Sequence, residues 1–134
     1  MAWHVTPTNE EVAFLMEAGL IYRDSGKFAD AEAVFRGVRA LIPASEVPEV
    51  ALGTLAVGQG DFKAAVLHYQ NAIKLNERSA FAHAHLGEAY VLSQDFQEAR
   101  KHLGRALELD PRHEAGRFAK GVLEFLDQQT KKQK

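Results

Sequence analysis

Residues 80–113 read AFAHAHLGEAYVLSQDFQEARKHLGRALELDPRH, and the spacing inside this stretch decides the fold. Leu86, Ala89 and Tyr90 recur at helical intervals, and after a short polar break so do Phe96, Ala99, Leu103, Ala106 and Leu107. In the break, Asp95-Phe-Gln-Glu98 has the form of an Asp-headed capping box opening a second helix. The stretch is therefore a helical hairpin, and its register runs outward along the chain. Gly19, Gly53, Gly87 and Gly121 stand 34 residues apart, as do Ala31, Ala65 and Ala99, and Phe28, Phe62 and Phe96. Phe35 and Tyr69 share the place of Leu103, and Pro43 and Pro111 mark the ends of the first and third copies. A fixed period of this length signals a solenoid of stacked supersecondary units.

Cut in that register, the 134 residues form a single domain with repeats at 12–45, 46–79 and 80–113. A closing helix is expected over 114–129, with Ala115, Phe118, Val122 and Phe125 on its apolar stripe and a flexible tail at 130–134. The fold class is all-α, with seven helices. Small residues let paired helices approach, which accounts for Gly and Ala at fixed places. Gly26 and Gly60 fall where the first helix of each hairpin turns, a site tolerant of positive φ, and Gln94 departs from that pattern. Thr8-Asn-Glu-Glu11 reads as a capping box, Asp61 matches Asp95, and Ser45 and Ser79 read as N-caps. Glu77 stands where the other copies have proline, so the second hairpin is expected to run smoothly into the third.

Composition and motif spacing exclude several functions. Net charge is −2, so no overall field gathers nucleic acid or an anionic membrane, and Lys131, Lys132 and Lys134 form only a local basic end. With no cysteine there is no disulfide, thiolate zinc site or Cys nucleophile. The N-terminus lacks a secretory pattern and no run is long enough to span a bilayer, so a cytoplasmic location is expected. Gly19, Gly26 and Lys27 do not form a phosphate loop: six residues separate the glycines, and Phe28 occupies the place of the Mg²⁺-binding hydroxyl. No His pair has the i, i+4 spacing of a helical zinc site, and His68 and His102 are expected to be exposed equivalents on successive helices. His83 is expected to pack. No catalytic residue, cofactor or metal is expected, because the carboxylates show no sign of a shared pocket.

These marks resemble the tetratricopeptide repeat family. The third copy carries Leu86-Gly87, Tyr90, Ala99, Leu103, Ala106 and Pro111; the first carries Gly19, Tyr22, Ala31, Phe35 and Pro43; the second carries Leu52-Gly53, Ala65, Tyr69 and Ala72. The family's Trp at the fourth place is replaced by Leu15, Glu49 and His83. The resemblance implies a concave face lined by the first helix of each hairpin. Carried over, its groove residues are Ala13, Met16 and Leu20, then Val47, Val50, Thr54 and Val57, then Phe81, Ala84, Glu88 and Val91. Arg23, Asp24, Gly58 and Leu92 fall at further groove places, and the closing helix adds Phe118, Val122 and Phe125.

This lining is largely apolar. Members that grip acidic chaperone tails use Lys, Asn and Arg where this chain has Met16, Leu20, Thr54, Ala84 and Glu88. The implied partner is thus another protein, held through an apolar peptide or amphipathic helix, and not nucleic acid or membrane. The pattern is also similar to small repeat chaperones of type III secretion systems. The alternative is a structural scaffold or homodimer whose groove is plugged by its own chain, with Trp3 and Val5 as candidate plugs.

Overall fold

The computed structural model describes residues 6–132, and Trp3 and Val5 lie outside them. Among these residues the chain forms seven helices: α1 (Asn9–Asp24), α2 (Phe28–Leu41), α3 (Val47–Gly58), α4 (Phe62–Leu75), α5 (Ala80–Leu92), α6 (Phe96–Leu109) and α7 (Glu114–Lys132). The hairpins are α1/α2, α3/α4 and α5/α6, each packed on the next, and α7 covers both α5 and α6. The odd helices form the inner layer, with α5 touching both α3 and α7. It is an all-α solenoid. α7 runs to Lys132, past the expected end at Gln129.

The three hairpins close in the same way. The N–H groups of Lys27, Asp61 and Asp95 donate to the carbonyls of Tyr22, Ala56 and Tyr90 at 2.8, 2.9 and 2.8 Å. This requires a left-handed residue just before each donor, and Gly26, Gly60 and Gln94 have φ of +77°, +76° and +66°. Gln94 thus adopts a conformation that favours glycine. Gln94→Gly is expected to stabilise the protein by about 0.5–1 kcal/mol, raising the melting temperature by about 3 °C. A lower melting temperature in a thermal scan would show that the glutamine side chain contributes more than the strained backbone costs.

Capping follows the sequence with two exceptions. Thr8, Asp61, Ser79 and Asp95 accept bonds from the N–H groups of Glu11, Ala64, Ala82 and Glu98 at 3.1 to 3.4 Å. Ser45 does not cap α3: Glu46 takes that place without a side-chain bond, and Ser45 Oγ accepts from Val47 N–H at 3.2 Å. The second hairpin does not run on into the third either. Asn76 breaks the chain in an extended conformation and its Oδ1 accepts from Arg78 N–H at 3.1 Å. Its Nδ2 also donates to Glu46 Oε1 at 3.1 Å, so one asparagine does the work of the missing proline.

The core is a row of three clusters centred on Phe35, Tyr69 and Leu103. Each of these side chains lies over the glycine of its own hairpin, and a Cβ at Gly19, Gly53 or Gly87 would overlap it. Gly121 keeps the period but meets nothing within 4 Å. Around it Arg117, Lys120 and Glu124 occupy places that are apolar in the second and third hairpins or packed inside them, and all three are exposed. Those charges leave this face of α7 solvated. Its buried face is Ala115, Ala119 and Leu126, with Val122 and Leu123 beside them, so Ala115 and Val122 of the expected stripe pack inward while its two phenylalanines do not. The small residues Ala115, Gly116 and Ala119 let α7 lie close to the preceding helix, leaving Phe118 and Phe125 exposed.

Candidate functional site

Among the described residues, two hollows are shared between successive inner helices. The first, of about 310 Å³, is lined by Met16, Leu20 and Arg23 of α1, Val47, Val50, Ala51 and Thr54 of α3, and Phe81 of α5, with Glu46 and Ser79 at its edge. The second, of about 440 Å³, is lined by Glu88, Val91 and Leu92 of α5 and by Arg117, Phe118, Gly121, Val122 and Phe125 of α7. Thirteen of the groove residues named from sequence line one hollow or the other. Five do not. Ala13, Asp24 and Gly58 are exposed, Val57 packs against the central cluster, and Ala84 is 2% exposed within the C-terminal cluster.

One cation stands over the first hollow. Arg23 Nη1 donates to Thr54 Oγ1 at 3.2 Å and its Nε to Asp24 Oδ1 at 3.1 Å, while Thr54 donates to the Ala51 carbonyl at 2.9 Å. Across from it, Glu46 accepts from Asn76. The site is thus hydrocarbon walled by one fixed guanidinium and one fixed carboxylate. Glu46, Ala51, Ser79, Arg117 and Gly121 escaped the sequence reading because they fall outside the family's groove places.

Between the hollows, His85 stacks on Tyr69 with ring centroids 5.6 Å apart and tilts against Phe118 at 6.3 Å. The Tyr69 hydroxyl and His85 Nδ1 are buried without a hydrogen-bond partner among the described residues. Burial raises the pKa of the Tyr69 phenol, the charge of Glu88 raises it further, and Arg23 pulls the other way. The phenol therefore stays neutral.

The remaining described histidines lie outside these hollows, and two differ from expectation. His68 and His102 are half-buried, because the fourth place on an inner helix faces the twenty-third place on the outer one. In the second hairpin this pairs Glu49 with His68 at 2.9 Å, and Arg39 adds a bond to Glu49 at 3.1 Å. In the third it sets His83 Nδ1 3.1 Å from His102 Nδ1. Glu77 O, a carbonyl, accepts from His83 Nε2–H at 3.0 Å, so neutral His83 must accept at Nδ1 and His102 Nδ1–H donates. Among the described residues no group of three or more His, Asp and Glu side chains could hold a metal ion.

The histidine pair carries a pH dependence. Burial lowers the pKa of both rings; the Glu77 carbonyl opposes this at His83, and at His102 the charge of His83 adds to it while Glu98 opposes it. The unfolded chain takes up these protons near the ordinary histidine value of about 6.5, whereas the folded chain does so only at lower pH. Below that value the unfolded state holds more protons, so stability falls as pH falls through the folded pKa values. Melting temperature is expected to drop between neutral pH and pH about 5.5. The double variant His83→Leu/His102→Val, which copies Leu15 and Val34 at the same places of the first hairpin, is expected to flatten that slope. An unchanged slope in the variant would assign the acid sensitivity to other groups.

Known proteins match this architecture. The tetratricopeptide repeat pattern matches residues 50–114 and 86–132. The tetratricopeptide repeat-containing protein trd-1 of Caenorhabditis elegans is 33% identical over 91 residues, which is 67% of this chain and 11% of that protein. The chain therefore spans about a ninth of that relative's length. The first repeat domain of Spaghetti (RPAP3), solved bound to the HSP90 peptide SRMEEVD, is 24% identical with a TM-score of 0.78, covering 96% of this chain and 98% of that one. The type III secretion chaperone SycD of Yersinia enterocolitica, solved with a peptide of the translocator YopD, is 20% identical with a TM-score of 0.78, covering 95% and 98%. Matched over more than half its length, and built of three hairpins in a 34-residue register with a closing helix, this chain belongs to the tetratricopeptide repeat family.

Proposed function

We propose that the chain is a protein-interaction module whose concave face holds an apolar segment of a partner protein. The observation that carries this reading is the first hollow, where three successive inner helices leave hydrocarbon uncovered: Leu20 is 36%, Val47 47% and Phe81 49% exposed. Uncovered apolar surface of this kind, rimmed by Arg23 and Glu46, suits a segment seated by side-chain anchors. It suits an acidic tail such as SRMEEVD poorly, because hydrocarbon and the carboxylates of Glu46 and Glu88 stand around the hollows. The finer reading is a chaperone role of the SycD kind, shielding an aggregation-prone segment of its partner in the cytoplasm. Peptide binding by both solved neighbours supports the general reading, and the apolar lining supports the finer one.

The test is co-purification of the tagged protein from its own cells, with mass spectrometry, comparing wild type with Phe81→Asp. Phe81 is the better position to change because it is half exposed, whereas Val50 also packs against the central cluster. The variant is expected to keep its melting temperature within about 2 °C and to weaken partner binding by at least about tenfold. A partner retained in full by the variant would remove the groove from the interaction. A protein that elutes alone as a dimer with Phe81 protected would favour the self-associating scaffold instead.

A further inference from the structure

The inner helices have a second face, which meets the outer helix of the hairpin before. Its third and tenth places are buried in α3 and α5: Pro48 is under 2% exposed and Leu55 3% in α3, and Ala82 and Ala89 are both 0% in α5. α3 packs there on α2, and α5 on α4. In α1 the same two places hold Phe14 and Ile21, which are 71% and 59% exposed. They stand seven residues apart and so form one line along the helix. The open end thus carries apolar side chains at least as large as those of the closed junctions, with Phe14 where the others have Pro48, Ala82 and Gly116, and Ile21 where they have Leu55, Ala89 and Leu123.

The charges flanking that line are of one sign. Glu10, Glu17 and Asp24 lie three or four residues from Phe14 or Ile21, next to them on the helix surface, and all three are exposed, though Asp24 already accepts from Arg23 Nε at 3.1 Å. Glu11 lies beside Phe14 as well, and with Glu10 and Thr8 it lines a hollow there. An equivalent junction within the chain shows how such acids are used. Arg39, in the last turn of α2, donates to Glu49, in the first turn of α3, at 3.1 Å.

We propose that this face of α1 docks a basic amphipathic helix of a partner protein, laid antiparallel to α1 as α2 lies against α3. Its apolar stripe covers Phe14 and Ile21, and its cations meet Glu10 and Glu17. A second copy of the chain fits poorly, since α1 against α1 would bring carboxylates together. The site is separate from the concave groove, because Phe14 and Ile21 line neither of its hollows.

The test uses the full chain and a fluorescent synthetic peptide with leucines at helical spacing and lysines on the flanks, beside a twin carrying glutamates for the lysines. Anisotropy titration is expected to show binding of the lysine peptide that weakens with salt, and none of the glutamate twin. Phe14→Asp or Ile21→Asp is expected to weaken binding about tenfold. Because these changes add negative charge, a peptide held by charge alone would bind the variants more tightly. Phe81→Asp is expected to leave the affinity unchanged, so failure of the groove reading and failure of this one are distinguishable. The proposal is overturned if the glutamate twin binds equally, or if Phe14→Asp and Ile21→Asp bind as well as wild type. It is also overturned if binding appears only after residues 1–5 are removed, which would make the chain its own occupant. A concentration-dependent dimer abolished by Phe14→Asp would overturn it in favour of a second copy.

Discussion

Replacing Gly53 by alanine is expected to lower the melting temperature by about 10 °C, while the same change at Gly121 raises it by a few degrees. Both glycines sit inside helices, where alanine is favoured by up to about 1 kcal/mol. At Gly121 nothing lies within 4 Å of the added methyl, so that gain is realised. At Gly53 the methyl would overlap the Tyr69 ring, which is 0% exposed and enclosed by Ala56, Ala65, Leu86 and Ala89. The ring cannot swing aside without opening the central cluster, and overpacking of this kind costs about 3 kcal/mol. A double-mutant cycle checks the mechanism. Tyr69→Ala alone should cost about 4 kcal/mol, and Gly53→Ala/Tyr69→Ala should cost clearly less than the sum, because the clash has gone. Additive losses would mean that Gly53 acts through something other than the Tyr69 ring.

The opposite signs at two glycines of one register show what a repeat makes legible and what it hides. Period and side-chain type place every helix, because Gly19, Gly53 and Gly87 each record the approach of a second helix. They do not say whether that helix exists, and Gly121 keeps the mark without the partner. The groove behaves similarly. Its lining follows from helix register at Met16, Val47 or Phe81. Ala84 and Val57, in equally valid places, are drawn into the core by neighbours the register does not specify. His68 and His102 look exposed from their polarity alone. Their burial depends on which side chain faces them, glutamate in one hairpin and histidine in the other. Asn76 ends α4 through its own side chain, a local signal that the missing proline obscured.

Gly116 lies outside the 34-residue register and is expected to be as sensitive as Gly53. It stands at the start of α7, where a Cβ would overlap the Asp110 carbonyl oxygen and come within 2.7 Å of its carbon. Backbone cannot rotate away as a side chain can, so Gly116→Ala is expected to cost more than about 3 kcal/mol. The loss should be local, since each unit of a solenoid depends mainly on its neighbours. Hydrogen exchange should quicken across α7 and the part of α6 beneath it, as Ala115, Ala119 and Leu126 leave Leu103 and Ala106 uncovered. Protection in α1 to α4 should hold. Gly37→Ala in α2, with nothing within 4 Å, serves as the control and should stabilise. Detaching α7 also removes Phe118, Val122 and Phe125 from the second hollow while leaving the first intact. A partner still bound by Gly116→Ala is therefore held at α1, α3 and the start of α5, and one released is held across α5 and α7. Unchanged exchange throughout would mean that α7 can shift clear of Asp110 without loosening.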